Sequence, residues 1–118
     1  MGRLNRSSGL AGEKAAAEYL LRHGYSILEK NYRTPWGEID LIAKQEDCLC
    51  FIEVKNRRQG VYGHPLEAVS ALKQKRITRA AQAYLSEKFI SQEPSCRFEV
   101  IGIDENGEIT HIKDAFQA

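Results

Sequence analysis

Apolar positions in two long stretches of the chain recur at the spacing of an amphipathic helix. The first stretch begins at Ser7 or Ser8, either of which can cap a helix, and Gly24 is placed to end it. The second stretch covers residues 70–88 and has a serine at its first position as the expected cap. The pattern therefore predicts one helix at the start of the chain and one in its second half.

Elsewhere the apolar residues form short runs that are typical of strands. Residues 25–31, 38–43 and 49–55 are predicted to be three strands between the helices, and residues 97–104 and 108–113 two strands after them. The order helix, three strands, helix, two strands predicts an α/β fold in which two helices flank a mixed sheet.

Three ionisable residues lie inside two of these apolar runs: Asp40 in the second predicted strand, and Glu53 and Lys55 in the third. Burying such groups is costly unless they pair with one another or bind a metal. Two carboxylates and a lysine can bind a hard divalent cation and activate water, which is the chemistry of phosphodiester hydrolysis.

The register of the predicted hairpin brings these residues together. A two-residue turn at 46–47 places Asp40 opposite Glu53 and Glu38 opposite Lys55. Cross-strand partners lie about 4.5–5.5 Å apart between Cβ atoms, close enough for two carboxylates to share a cation. A slip of one residue would put the two carboxylates on opposite faces of the sheet and remove the site.

Two further acidic residues are candidates for the same site. Glu13 falls on or beside the apolar stripe of the first helix, as a third acidic group or as an exposed glutamate favoured by the helix dipole. Glu38 could bind metal or pair with Lys55, and the favoured interpretation is the ion pair or an accessory role outside the direct metal ligands.

Basic residues follow the candidate site closely. The net charge is only +1, but seven basic residues and one acidic residue lie between Val54 and Arg79. This stretch either neutralises a phosphate backbone or forms a solvated charged face. Lys73 lies in the first turn of the second helix, where a cation opposes the dipole, so a nearby anion is expected. The candidate nucleic-acid contacts are Arg57, Arg58, Lys73, Lys75, Arg76 and Arg79.

Length and composition limit the alternatives. The 118 residues suit one domain over residues 1–118, and no apolar run is long enough to cross a membrane. The first eight residues lack the apolar stretch of a secretory signal, so a cytoplasmic protein without a membrane partner is expected. The three histidines are scattered, which favours surface or capping roles over metal ligation.

Glu13, the run Gly37–Leu41 and the run Glu53–Lys55 together resemble the motifs of the PD-(D/E)XK restriction-endonuclease-like superfamily. Nearly the whole chain resembles the small bacterial YraN-type family within it, and the architecture is similar to that of archaeal Holliday junction resolvases. The resemblance implies an α-β-β-β-α-β core. Ile39 stands where the superfamily's name has proline, at a position that varies.

The resemblance also implies roles for individual residues. Asp40 and Glu53 are expected to bind the metal together with the backbone carbonyl of Val54, Lys55 to be catalytic and Glu13 to be accessory. The expected function is that of a Mg²⁺- or Mn²⁺-dependent DNA endonuclease, with branched recombination or repair intermediates among its candidate substrates. The alternative is a non-catalytic nucleic-acid-binding or assembly module that retains a nuclease-like site. The sequence leaves open whether the protein forms a homodimer.

Overall fold

The computed structural model describes residues 2–56, 69–88 and 94–117, with side chains described from residue 11 onward. Within these residues, two helices and five strands form in the predicted order, so the α/β class and the α-β-β-β-α-β core are confirmed, with one strand added at the end. The elements are α1 (Gly2–Arg22), β1 (Tyr25–Thr34), β2 (Gly37–Gln45), β3 (Cys48–Asn56), α2 (Ala71–Lys88), β4 (Ser95–Ile103) and β5 (Ile109–Ile112).

The five strands form one mixed sheet in the order β1-β2-β3-β4-β5. Neighbouring strands are antiparallel except β3 and β4, which are parallel. A parallel connection needs a crossover, and α2 lies between these two strands in the chain. The end of β3 is therefore followed by the segment that leads to α2, so the two elements can supply residues to one site.

The β2–β3 hairpin has the predicted register. Its pairs run from Gln45 opposite Cys48 to Leu41 opposite Ile52, with the turn at residues 46–47. The first turn residue is a glutamate with a φ of 54°, a left-handed conformation that glycine or asparagine adopts more readily. The β2–β3 ladder ends one position before Asp40 and Glu53. Backbone groups at that point can therefore contact side chains.

Each helix covers one face of the sheet with its own apolar cluster. On the α2 face, Ile77 and Ala80 pack with strand residues such as Phe51. On the α1 face, Ala16 and Leu20 pack with residues such as Ile52. No helix in residues 2–56, 69–88 and 94–117 is long and apolar enough to cross a membrane.

Two predicted boundaries were wrong by three residues or more, and one cap is confirmed. The helix α1 begins at Gly2 instead of Ser7 or Ser8, so Glu13 lies in the middle of the helix. Strand β1 continues past Asn31 to Thr34, because its pairing with β2 extends to the next turn. At α2, the Ser70 side-chain oxygen accepts a hydrogen bond from a first-turn backbone N–H at 3.1 Å, as expected for an N-cap.

Candidate functional site

Asp40 and Glu53 meet at the end of the β2–β3 ladder, as the register predicts. Their carboxyl groups are within hydrogen-bonding reach of each other. The Oδ2 atom of Asp40 also accepts the backbone N–H of Val54 at 2.8 Å. Glu53 is buried, with 4% of its surface exposed. Two adjacent strands therefore hold two carboxyl groups side by side in a largely dry environment.

The proximity of these groups changes the acidity of Asp40. Burial, and then the neighbouring charge of Glu53, raise the pKa of Asp40 to about 8, although the Val54 N–H acts in the opposite direction. Two carboxylates at this distance cannot both be ionised without compensation, so the pair favours an added positive charge. A proton can supply that charge, and so can a metal ion.

Two lysines converge on Glu53 from different elements. Lys55, two residues along β3, places its Nζ 3.3 Å from the Oε2 atom of Glu53. Lys73, in the first turn of α2, forms an ion pair with the same oxygen. The anion expected near the unfavourably placed Lys73 is therefore Glu53. The ammonium of Lys73, predicted to contact nucleic acid, is engaged inside the site.

The two lysines differ in acidity. Burial, and then the hydrogen bond and charge of Lys73, lower the pKa of Lys55. Burial also opposes the charge on Lys73, but its hydrogen bonds to Glu53 and Lys55 outweigh this and raise its pKa. Lys55 is therefore the lysine that loses a proton more readily, while Lys73 keeps its charge.

Glu13 approaches the same site from α1. It hydrogen-bonds to the Asn31 side chain and lies within electrostatic range of Asp40 and Glu53. Burial, and then nearby carboxylates, raise the pKa of Glu13 despite the Asn31 contact. Because α1 begins at Gly2, the interpretation of Glu13 as an exposed glutamate at a helix N-terminus was wrong.

Glu38 does not pair with Lys55, so the predicted ion pair was wrong. The Oε2 atom of Glu38 lies 3.2 Å from Nε of Arg33, and both side chains are exposed. The two residues face each other in the β1–β2 register, whereas the β2–β3 ladder ends at Leu41 and does not reach Glu38. Strand β2 has a neighbouring strand on each side, β1 and β3. The partner of Glu38 comes from β1.

The oxygen donors at the site suit a hard divalent cation. Asp40 and Glu53 supply carboxylates, and the Val54 carbonyl lies on the edge of β3 that faces Asp40, since its N–H points there. Within the described residues, no group of three His, Cys, Asp or Glu side chains is close enough to hold a metal. Mg²⁺ keeps several waters and commonly uses only one or two carboxylates together with substrate phosphates. Two carboxylates and a carbonyl therefore fit such an ion.

The basic residues that were predicted to contact nucleic acid lie in different parts of the chain. Arg57 and Arg58 lie outside the described residues. Lys75, Arg76 and Arg79 are exposed on α2. Within the residues that the structure describes, none of these three α2 side chains has an ion-pair partner. Their charges are therefore available to an external anion.

A second buried carboxylate, Glu99, lies on the α1 face of the sheet. The Tyr25 hydroxyl donates to it at 3.0 Å, His111 Nε2 lies 2.6 Å from it, and Arg97 forms an ion pair with it. His111 is therefore buried in this network, and the expectation of a surface or capping role for it was wrong. Glu99 lies inside the apolar run 98–101, the same signal that identified Asp40.

Comparison with known proteins places the chain in a family. Residues 12–103 match the group described as "Uncharacterised protein family UPF0102". A UPF0102 protein of Chlorobium chlorochromatii is 50% identical over 92% of this chain and 89% of its own length. UPF0102 proteins of Coxiella burnetii and Clostridium botulinum are 40% and 42% identical over at least 95% of each chain.

Among solved structures, Pyrococcus furiosus SfsA in complex with Ca²⁺ is similar, with a TM-score of 0.36 and 13% sequence identity. The match covers 92% of this chain and 63% of that one, and the similarity is too low to bear on function. The sequence matches, in contrast, extend over most of the chain and of each relative. The chain belongs to the UPF0102 family.

Proposed function

We propose that this protein is a Mg²⁺- or Mn²⁺-dependent nuclease that hydrolyses phosphodiester bonds in DNA. The observation that carries the proposal is the contact between the Asp40 and Glu53 carboxyl groups, with Lys55 Nζ 3.3 Å from Glu53. Such a cluster combines oxygen ligands for a hard cation with a lysine that can act on water or phosphate. Glu13 supports it from α1.

The metal would be held by Asp40, Glu53 and the Val54 carbonyl. A bound Mg²⁺ or Mn²⁺ supplies Lewis acidity, which polarises a phosphoryl oxygen and makes a water molecule more acidic. The protein contributes two preformed carboxylates on adjacent strands, and the Val54 N–H fixes the orientation of Asp40. Ordering the ligands before binding reduces the entropy that binding must overcome.

The two lysines have separate roles in this proposal. Lys55, with its lowered pKa, accepts a proton from the attacking water or orients that water. Lys73, with its raised pKa, stays protonated and offsets negative charge that develops on the phosphate. Glu53 holds the side-chain nitrogens of both lysines in place.

The basic residues that follow β3 in the sequence, together with those exposed on α2, would bind the substrate backbone. Contacts to phosphate position DNA without reading its sequence, which suits unpaired arginines and lysines on an exposed helix. The residues with this proposed role are Arg57, Arg58, Lys75, Arg76 and Arg79. A DNA substrate agrees with the expected cytoplasmic location.

One observation favours the alternative, a non-catalytic nucleic-acid-binding or assembly module. Lys55 and Lys73 both pair with Glu53, so the burial of Glu53 is compensated without a metal ion. A site of this kind would be stable in a protein that has lost its catalytic activity. The two functions differ in whether pure protein cleaves DNA.

A cleavage panel separates the two functions. Purified wild type, Lys55→Ala and Lys44→Ala are incubated with linear, nicked, flapped and four-way DNA, and with RNA, in Mg²⁺ and in Mn²⁺. Lys44 is an exposed lysine on β2, about 13 Å along the strand from Asp40, so its removal serves as the control. The nuclease proposal expects cleavage by wild type and Lys44→Ala and at least a 100-fold loss in Lys55→Ala. If wild type cleaves no faster than Lys55→Ala on every substrate, the binding-module function replaces it.

A further inference from the structure

Three adjoining depressions lie between α2 and the turn that joins β1 to β2. These three sections have volumes of about 600, 390 and 370 Å³. Trp36 borders the first and second sections, and Gly37 and Arg76 border the second and third. The surface formed by these three sections, with the shared residues together with Arg79 and Lys73, is called the α2 groove.

Trp36 is fixed at the edge of the α2 groove with much of its surface in solvent. It is 51% exposed and is the only tryptophan of the chain. The Thr34 hydroxyl oxygen accepts the backbone N–H groups of Trp36 and Gly37, both at 3.1 Å. A Cβ atom on Gly37 would lie 2.9 Å from Cβ of Arg76, so this turn packs directly on α2. The turn thus holds a large aromatic ring in the open, where it is available for stacking.

The charge along the α2 groove is predominantly positive. Arg76 and Arg79 are exposed and have no ion-pair partner within the described residues. The acidic residues of the same groove are paired with cations: Glu38 with Arg33 at 3.2 Å, and Glu87 with Lys88 at 3.8 Å. The free charges therefore favour an anionic ligand.

One end of the α2 groove reaches the candidate active site. Lys73 lines the third section, and its ammonium group pairs with Glu53. From Lys73 to Arg79 the helix rises about 9 Å, so the basic residues form a short row that leads away from the carboxylates. A chain of phosphates that follows this row would arrive at the metal ligands.

We propose that the α2 groove binds an unpaired strand of DNA, with a base stacked on Trp36 and phosphates on Arg76 and Arg79. An aromatic ring can stack on a base only where the face of that base is exposed, and a duplex covers its base faces except at the ends. The inference rests on the proposed nuclease function and names its substrate class, which is DNA with a single-stranded segment next to the cleaved bond.

The fluorescence of the single tryptophan tests binding directly. Wild-type protein is titrated in EDTA with a twelve-nucleotide dT oligomer, a blunt duplex hairpin and the matching rU oligomer. Stacking on Trp36 quenches its emission, so we expect quenching by dT and little by the hairpin. No quenching by dT, or equal affinity for rU, would overturn the assignment to unpaired DNA.

Variants identify the residues that bind the oligomer. By anisotropy of labelled dT, Trp36→Ala should bind about 5- to 100-fold more weakly, whereas Trp36→Phe should keep most of the affinity. Leu21→Ala is the matched control, because Leu21 is 58% exposed on α1. Arg79→Gln should bind more weakly than Lys44→Gln, since both charges are exposed but only Arg79 lines the α2 groove. Equal losses in the two charge variants, or none in Trp36→Ala, would contradict the proposal.

Cleavage is measured separately, so the two proposals can fail independently. Quenching by dT without cleavage in Mg²⁺ or Mn²⁺ would contradict the nuclease proposal and support the α2 groove as a site for unpaired DNA. If Trp36→Ala cleaves flapped DNA as fast as wild type does, the nuclease proposal is supported and the proposed role of the α2 groove is contradicted. Equal cleavage of flapped and blunt DNA by wild type would also overturn the substrate class.

Discussion

A single carboxylate, Glu53, sets the electrostatics of the candidate site. It lies beside Asp40, whose pKa rises to about 8, and it pairs with Lys55 and Lys73. Two cations on one oxygen repel each other, and the less favourably placed cation becomes the more acidic one. Lys55 is in that position, because its pKa is lowered while that of Lys73 is raised.

Removing Lys73 should therefore make Lys55 less acidic. In Lys73→Gln the pKa of Lys55 should rise, because the repulsion and hydrogen bond from Lys73 are lost while the attraction of Glu53 stays. Titration of the lysine side-chain nitrogens by ¹⁵N NMR measures this shift. Lys75→Gln is the control, since Lys75 is exposed on the same helix. A fall in the Lys55 pKa in Lys73→Gln would contradict this account of the pair.

Glu99 shows that a buried acid within an apolar strand does not by itself identify a catalytic residue. It is fully buried, but Arg97, His111 and Tyr25 satisfy its oxygens. Burial opposes its ionisation, yet the hydrogen bonds from His111 and then Arg97 lower its pKa overall. Its contacts link β1, β4 and β5, so we assign it a role in stability.

Glu99 should contribute stability above its ordinary pKa of 4.5 and lose that contribution as the pH falls further. The sign follows because the folded state holds this group ionised at pH values where the unfolded state binds a proton. Glu99→Gln should lower Tm at pH 7, since it leaves Arg97 facing no carboxylate. The difference in Tm from wild type should shrink between pH 5 and pH 3. Scanning calorimetry measures it, with the exposed Glu108→Gln as control. A difference that grows toward acid pH would contradict the assignment.

At the scale of elements, the local patterns predicted most of the fold. The pairing of Asp40 with Glu53 followed from the hairpin alone, because a two-residue turn and alternation of faces determine a register. Glu38 was misplaced because its partner, Arg33, comes from a third strand that no local pattern pairs with it. The contact of Lys73 with Glu53 joins distant segments, and only the unfavourable helix dipole pointed to it.

Two glycines govern how the helices approach the sheet, and they should respond differently to alanine. At Gly37 an added Cβ meets the Cβ and backbone oxygen of Arg76 at 2.9 and 3.1 Å, which should cost about 1–3 kcal/mol. At Gly12 it meets the side-chain amide of Asn56 at 2.6 Å, which can turn aside. Alanine also gains about 1 kcal/mol in a helix, so Gly12→Ala should be nearly neutral.

Thermal unfolding of both glycine variants tests this contrast. We expect Gly37→Ala to lower Tm by about 3–10 °C and Gly12→Ala to change it by less than about 3 °C. Each variant is the other's control, because both add one methyl group at a crowded contact between elements. If Gly12→Ala is the more destabilised variant, the backbone contact with Arg76 does not limit the packing of α2.

At the scale of the whole molecule, charge is distributed unevenly although the net charge is only +1. The exposed cations Lys75, Arg76 and Arg79, which have no ion-pair partner among the residues that the structure describes, lie on α2, the helix that supplies Lys73 to the site. The last 18 residues, in contrast, carry four acidic side chains and one lysine. A polyanion should therefore be attracted to the α2 side of the protein and oriented by it.

The salt dependence of DNA binding tests that orientation. Each phosphate contact releases counterions, so losing one contact lowers the log–log slope of affinity against salt by about 0.7 on single strands and about 0.9 on duplex. Arg76→Gln should show this reduction, because its charge faces the α2 groove. Lys44→Gln should keep the wild-type slope, since Lys44 is equally exposed but lies about 13 Å along β2 from Asp40. Binding is measured by anisotropy in EDTA between 50 and 300 mM salt, so the result does not depend on cleavage. Equal slopes in wild type and Arg76→Gln would show that DNA binds away from α2.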